Sequence, residues 1–422
     1  MSRPERVLIA PWGNPFFWWE ANYKVDCEKL GIKDCKRTTV TVTSKSTLPA
    51  MIEAINPDRV IVVVLDTLVN ARKDEKYPPI GDAKPSTYLE VVEDVKRRVQ
   101  WFMDEIGIDN AEILVAPGVG EFKNATVLGD ILDFYAFVLY ELSKRLPRTN
   151  SEVFLDLTHG INFMPVIMYR AVNHLLGLSA YVNDVTLTVV NSEPALDEKG
   201  VMSMEVIERE LFRPRPMYSL LTGGEREELW SAFISSMANG FPLAFATFYP
   251  DKEEVVKTLD NTFREWMTKG IDVTSNGKVE IRRKKKLGHN FRTLSKLMFL
   301  LEVLEERGWS RYKKKVLTFG ELREIAGLFR RMPTIGPVVE RQVNELERAI
   351  EGANIKEPKP LREFLGKAWS RKVKVGNFIA HAGFEGNIVY VNYSRAKRDY
   401  VFYYGDEETA RRLCVEALKY RG

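Results

Sequence analysis

Cysteine is scarce: Cys27, Cys35 and Cys414 are the only three in 422 residues. Their odd number, scatter and lack of metal-ligand spacing argue against a disulfide framework or a zinc site, so free thiols are expected. Also missing is any apolar run long enough to span a bilayer, which excludes a membrane-embedded chain. The N-terminus passes from Arg3, Glu5 and Arg6 straight into a strand without a secretory or transit signal, so the expected location is the cytoplasm. No Walker-type loop is present, so ATP hydrolysis is not expected. Charge of one sign is not in excess either, with 62 Lys and Arg against 58 Asp and Glu. Basic residues do cluster locally, at Arg282-Arg283-Lys284-Lys285-Lys286 and Arg311-Tyr312-Lys313-Lys314-Lys315. Either run alone reads as solvated surface, and two together raise a groove for a polyanion.

What is present points to a soluble protein of two or three domains, because 28% charged and 45% hydrophobic residues suit a globular chain too long for one core. Residues 1 to about 190 alternate short β-branched runs with amphipathic stretches, the pattern of a mostly parallel, Rossmann-like α/β sheet. Strands are expected at Val7 to Ala10, Val60 to Leu65, Glu112 to Ala116, Val153 to Leu155 and Ala180 to Val190. Helices are expected at Leu89 to Ile106, Ile131 to Arg145 and Asn162 to Leu176. Beyond about residue 205 the strand signal stops at Pro214, Pro216, Gly223 and Gly224, and mainly helical sequence follows. It includes a predicted helix from Leu361 to Ala382 and one hairpin, from Ile388 to Val391 and Tyr400 to Phe402-Tyr403. The expected division is residues 1–204, a helical connection at 205–290, helix-turn-helix-like in one reading, and a final helical domain at 291–422.

Two strand ends carry loops suited to a polar ligand. Asp156-Leu157-Thr158-His159-Gly160-Ile161-Asn162 follows the strand ending at Leu155, and Trp12-Gly13-Asn14-Pro15 follows the strand ending at Ala10. Open α/β sheets bind ligands beyond such carboxyl ends. Asp66-Thr67, after a third strand, is a further candidate to line the cavity, or Asp66 simply caps the next segment. Of the aromatic run Trp12, Phe16, Phe17, Trp18 and Trp19, only Trp12 is assigned to the ligand; core packing is the commoner role for the rest. Gly118-Val119-Gly120 lacks the rest of a dinucleotide fingerprint and reads as a turn.

Near the C-terminus, Asn377-Phe378-Ile379-Ala380-His381-Ala382-Gly383 places Asn377 and His381 four apart, on one helical face. A histidine of near-neutral pKa suits proton transfer, and an adjacent amide can hold a phosphate, a pair able to cleave RNA without a metal. The alternative is a helix C-terminus, with His381 on the last carbonyls and Gly383 as terminator.

With these loci in order, the chain resembles the CRISPR-associated ancillary ribonucleases that join a Rossmann-like CARF sensor to a HEPN domain, in which the hairpin expected here would be an insertion. The resemblance implies that Trp12, Gly13, Asn14, Pro15, Asp66, Thr67, Thr158, His159, Gly160 and Asn162 bind cyclic oligoadenylate, the messenger of type III CRISPR complexes. It implies a homodimer or higher oligomer that cleaves single-stranded RNA, with no cofactor or metal for catalysis and with the cyclic oligoadenylate as activator. The family's motif is an arginine, often followed by a polar residue, then a spacer and a histidine; Asn377 and His381 match the last two. Gly376 stands where the arginine is often found, so Lys374, or else Arg371, is the substitute cation. On a continuous helix Lys374 falls on the stripe of Asn377 and His381. Two other readings stand beside this one: a ligand-controlled nucleic-acid-binding regulator using the basic runs, and a nuclease of the ring itself using His159 or Thr158.

Overall fold

The computed structural model describes residues 3–35, 37–194, 200–353, 355–366 and 372–420. They form two compact units, one built from Met1–Leu176, Asn183–Phe212 and Thr258–Ser295, the other from Gly177–Val182, Arg213–Lys257 and Lys296–Gly422. In chain order the elements begin with strand β1 (Glu5–Pro11), β2 (Ala21–Asp26), β3 (Thr39–Ser44), helix α1 (Leu48–Ile55) and β4 (Arg59–Leu65). They continue with α2 (Tyr88–Glu105), β5 (Ala111–Ala116), β6 (Gly120–Glu121), β7 (Ala125–Leu128), α3 (Leu132–Arg145), β8 (Ser151–Asp156) and α4 (Met164–Ser179). Then come β9 (Val185–Ser192), β10 (Val201–Leu211), α5 (Glu225–Asn239), α6 (Pro242–Thr247), α7 (Lys252–Lys269), β11 (Ile271–Asn276), β12 (Lys278–Arg283) and α8 (His289–Glu306). The chain ends with β13 (Leu317–Thr318), α9 (Phe319–Gly327), α10 (Gly336–Ile350), β14 (Lys359–Pro360), α11 (Val375–Ala380), β15 (Val389–Ser394), β16 (Asp399–Tyr404) and α12 (Glu407–Lys419).

The first unit is organised by an eight-stranded sheet of order β3-β2-β10-β9-β8-β1-β4-β5. Its five strands from β9 to β5 are parallel, with Val7 of β1 in register with Arg59 of β4 and Val153 of β8. β1 and β4 are buried along all but their first residue, as parallel strands covered on both faces are. This parallel centre is the α/β pattern expected from sequence, although its last strand begins only at Val185 because α4 runs on to Ser179.

Beyond it the expectation fails in three respects. Strand signal does not stop near 205: β10 reaches Leu211, antiparallel to β9 and parallel to β2. The expected helical connection at 205–290 is not a body of its own, since Arg213–Lys257 clusters with the second unit and residues from Thr258 with the first. There β11 and β12 form a hairpin, and β12 lies parallel to β7 in a second sheet of order β11-β12-β7-β6. Cys27 and Cys35 are not free thiols but form a disulfide across the turn after β2, with Cα atoms 6.2 Å apart; Cys414 is free and buried.

In the second unit, α5 is buried from Trp230 to Asn239 and packs on α12, while α9 packs on α10. The expected hairpin forms as β15 and β16, flanked by β14 and β13. The expected helix from Leu361 to Ala382 is not continuous: a 3₁₀ turn covers Leu361–Glu363, Gly366 takes a left-handed φ of 58°, and Lys374 is extended, so that among the described residues of this stretch only Val375–Ala380 is α-helical. A left-handed glycine and an extended residue both end α geometry. Among the described residues, no helix is long and apolar enough to cross a membrane.

One buried charge cluster ties the late hairpin to the early sheet. Arg283, on β12, donates from Nη1 to Asp66 Oδ2 at 3.1 Å and lies 3.4 Å from Asp133 through Nε. Asp66 also accepts from Tyr88 Oη at 3.0 Å and from the Gly118 amide at 2.7 Å, and Asp133 from the Leu287 amide at 2.9 Å. Removing one partner of such a pair leaves a buried charge uncompensated, at a cost of about 3–5 kcal/mol. Arg283→Met should lose stability of that order in urea unfolding. Burial already pushes the pKa of Asp66 and Asp133 up. Without the guanidinium both bind protons more readily in the folded state, so the deficit against the wild type should be smaller at pH 5 than at pH 8.

Candidate functional site

The β1 and β8 loops meet at the carboxyl ends of their strands. The Gly13 amide donates to the His159 carbonyl at 2.8 Å, and the Trp12 amide to the Val63 carbonyl at 2.8 Å. A Cβ on Gly13 would come within 2.6 Å of Ile161, and one on Gly160 within 2.9 Å of Pro165 and 3.1 Å of Pro11. Glycine at these two positions is what lets the loops approach. Asn14 caps the following 3₁₀ turn, with Oδ1 accepting from the Phe16 amide at 3.1 Å, and Pro15 is buried in that turn. Asn162 is exposed and left-handed, φ 50°.

Beneath the loops, Asp156 accepts from Thr47 Oγ1 at 2.5 Å and from the Thr158 amide and hydroxyl at 3.0 and 2.6 Å. The Thr158 hydroxyl in turn accepts from the Ser192 amide at 3.0 Å. The Thr47 amide donates to His159 Nε2 at 3.2 Å, and the ring stacks on Trp18 at 4.0 Å between centroids. Desolvation outweighs the pull of Asp156 and lowers the His159 pKa to about 4. A neutral ring whose basic nitrogen is already engaged is a poor acid or base near neutrality. Thr47 and Trp18 went unassigned from sequence, since a threonine before an ordinary helix and one tryptophan among several carry no distinguishing pattern.

Three assignments change. Trp12 is fully buried, in edge contact with Trp18 and Phe102, and so lies in the core rather than on the loop surface; Phe17 and Trp19 are the residues of that run that lie exposed. Asp66 is fully buried in the Arg283 cluster, and Thr67 is buried, its carbonyl held by Asn124 Nδ2 at 2.8 Å, so neither lines a cavity. The basic runs are not an open groove. Arg282, Lys284, Lys285 and Lys286 pair with Glu280, Asp272, Glu265 and Asp130, and Arg311, Lys313, Lys314 and Lys315 with Glu324, Asp251, Glu321 and Glu407.

In the second unit α11 is anchored by Phe378, fully buried against Phe241 at 4.8 Å. Its end is fixed by the Gly383 amide donating to the Phe378 carbonyl at 2.8 Å and by Tyr404 Oη donating to the Gly383 carbonyl at 3.1 Å. Asn377 and His381 are one turn apart, the His381 amide donating to the Asn377 carbonyl at 3.0 Å. His381 Nδ1 lies 2.9 Å from Gln342 Oε1 on α10, a partner that sequence alone did not reveal. Lys374 is exposed at the N-cap with φ −128°, so the helical stripe expected to align it with His381 is absent. Arg371 lies outside the described residues. Gly376 is exposed, and among the described residues a Cβ there would meet nothing within 4 Å, so close packing against them does not account for this glycine.

The depressed His159 pKa has a thermodynamic consequence. The unfolded ring titrates near 6.5 and the folded one near 4, so its neutral form supports folding above about pH 6.5, and that support is lost as pH falls toward 4. Unfolding free energies from urea titrations of wild type and His159→Gln, followed from pH 7.5 to 4.5, should shift against the wild type by roughly 1–3 kcal/mol. A pH-independent difference would contradict the buried neutral ring.

Residues 7–194 match the family model described as CRISPR system endoribonuclease Csx1, CARF domain, and residues 333–407 match that of the Csx1 HEPN domain. The first spans the parallel sheet and both strand-end loops; the second spans α10, α11 and the hairpin. A CRISPR system endoribonuclease Csx1 of Methanocaldococcus jannaschii is 30% identical over 433 aligned positions, covering 91% of this chain and 86% of that protein. A CARF domain followed by a HEPN domain, with identity of that extent along nearly the whole length, makes this chain a member of the Csx1 family of CRISPR system endoribonucleases.

Proposed function

We propose that the chain cuts single-stranded RNA without a metal ion and is switched on by cyclic oligoadenylate, with cyclic tetra-adenylate as the expected ring. The observation that carries this reading is the conjunction of the HEPN match with His381 and Asn377 one turn apart at the anchored end of α11. In such cleavage the RNA's own 2′-hydroxyl attacks the adjacent phosphate, so the protein has to move protons and stabilise charge rather than activate water. His381 takes the hydroxyl proton, Asn377 holds a phosphate oxygen, and Lys374 lends positive charge in place of the missing arginine. Lysine is a point charge without arginine's planar fork, so a slow enzyme is expected.

On the CARF side, the reading gives ligand contact to Asn14, Thr158, His159, Gly160 and Asn162, with Gly13 and Pro15 shaping the loop. The direct hydrogen bond between the two loops supports treating them as one surface. A ring of even size has two-fold symmetry, which suits a symmetric homodimer presenting this surface twice. The ligand switches cleavage on only if it binds the cleaving arrangement more tightly than the idle one. The link to a type III effector complex is through this messenger. The ion-paired basic runs weigh against the regulator reading, and the engaged His159 and Thr158 weigh against cutting of the ring.

The test is cleavage of labelled single-stranded RNA in EDTA, with and without cyclic tetra-adenylate or cyclic hexa-adenylate, beside an all-DNA control. RNA cut only in the presence of a ring, with DNA intact, is the expected result; tight ring binding without any cutting would overturn the ribonuclease reading. His381→Ala should reduce cleavage by about 10²–10⁴-fold while ring binding is retained. Because the space around Gly376 is open, Gly376→Arg should fold normally and raise the cleavage rate several-fold, whereas Lys374→Ala should lower it.

A further inference from the structure

His381 is held through a side chain of another helix. Gln342, on α10, is 6% exposed, and its two amide ends face different partners. Its nitrogen lies 3.2 Å from Glu345 Oε2, one turn along the same helix, and its oxygen lies 2.9 Å from His381 Nδ1. A carboxylate can only accept, so the amide nitrogen must face Glu345 and the carbonyl oxygen must face the imidazole. That oxygen also only accepts, which requires the hydrogen to sit on Nδ1.

We propose that Gln342, oriented by Glu345, is a positioning residue for RNA cleavage: it fixes His381 as the Nδ1–H tautomer and makes Nε2 the nitrogen that takes the proton of the attacking 2′-hydroxyl. The step balances without a further reagent. The proton moves from O2′ to Nε2, the O2′–P bond forms, the P–O5′ bond breaks, and the departing 5′-oxygen gains a proton as the imidazolium returns its own to solvent. The products are a 2′,3′-cyclic phosphate and a 5′-hydroxyl. The same arrangement of orienting acceptor, imidazole and reacting hydroxyl operates wherever a histidine base must present one particular nitrogen. Gln342 itself touches no reacting atom. This inference rests on the proposed role of His381 as the base.

The test combines ring-nitrogen NMR with kinetics on the full chain, which has only four histidines. In ¹⁵N-labelled wild type, the signals that vanish in His381→Ala should show a protonated Nδ1 and an unprotonated Nε2. Gln342→Leu, which keeps bulk but removes the acceptor, should mix the tautomers and lower kcat by about ten- to a hundredfold with KM within about twofold. Gln342→Glu, which restores an acceptor, should recover much of the loss. A wild-type His381 protonated on Nε2 overturns the proposal, and so does a folded Gln342→Leu protein with unchanged ring signals and unchanged kcat. Should the leucine variant fail to fold, the wild-type tautomer alone decides. Full RNA cleavage by His381→Ala would instead remove the catalytic reading, a failure distinct from that of the tautomer assignment.

Discussion

Arg283 joins segments of the first unit that lie far apart along the chain. It arrives on a hairpin 217 residues after Asp66 and 150 after Asp133, and it joins the loop after β4, the start of α3 and the turn at Gly118 through one buried guanidinium. Burying a cation and two carboxylates is costly unless each is paired, and the pairing here is geometrically demanding. The contacts are made in the register that places Arg282 of β12 opposite Leu128 of β7, so the cluster supports that register as well as adding stability. It also explains why residues from Thr258 onward cluster with a domain whose family match ends at residue 194.

The same cluster marks where sequence reasoning stops. The parallel centre was legible because β-branched runs such as Val60 to Leu65 are apolar throughout, as strands buried on both faces must be. Two strands of the second sheet were not. β11, with sequence IDVTSN, and β12, with KVEIRR, are short and mix polar with apolar residues, and Arg283 at the end of β12 finds its carboxylates far away in the chain. A basic run therefore read as surface when its second arginine is buried. Cys27 and Cys35 were misread for a similar reason: their scatter along the chain says nothing of the turn that brings them together.

At the candidate sites, sequence gave the residue types at both loops and at α11 but not which side chain faces what. Aromatic identity cannot rank exposure, so Trp12 was chosen over Trp18, although Trp12 fills the core and Trp18 stacks on His159. On α11 the helical periodicity was carried too far toward the N-terminus, past Lys374, where the backbone is extended. What remained correct there was the local spacing of Asn377 and His381, which a single turn is enough to preserve.

The two histidines show why residue type alone does not assign chemistry. In each a hydrogen bond to one ring nitrogen is seen, and it assigns the hydrogen to Nδ1 in both. In His159 the lone pair on Nε2 accepts the Thr47 amide, and burial holds the ring neutral down to about pH 4. The basic nitrogen is consumed by the fold, which suits a ring that stacks and shapes a loop. In His381 the hydrogen bond to Gln342 is made by Nδ1, facing a carbonyl that can only accept, so this bond uses the ring's proton rather than its lone pair. A backbone donor engages the lone pair of the imidazole, whereas a side-chain acceptor engages its N–H. The difference lies in Thr47 and Gln342, two residues distant in sequence from the histidines they govern, and it is the reason a motif of five residues needs the fold around it to become a site.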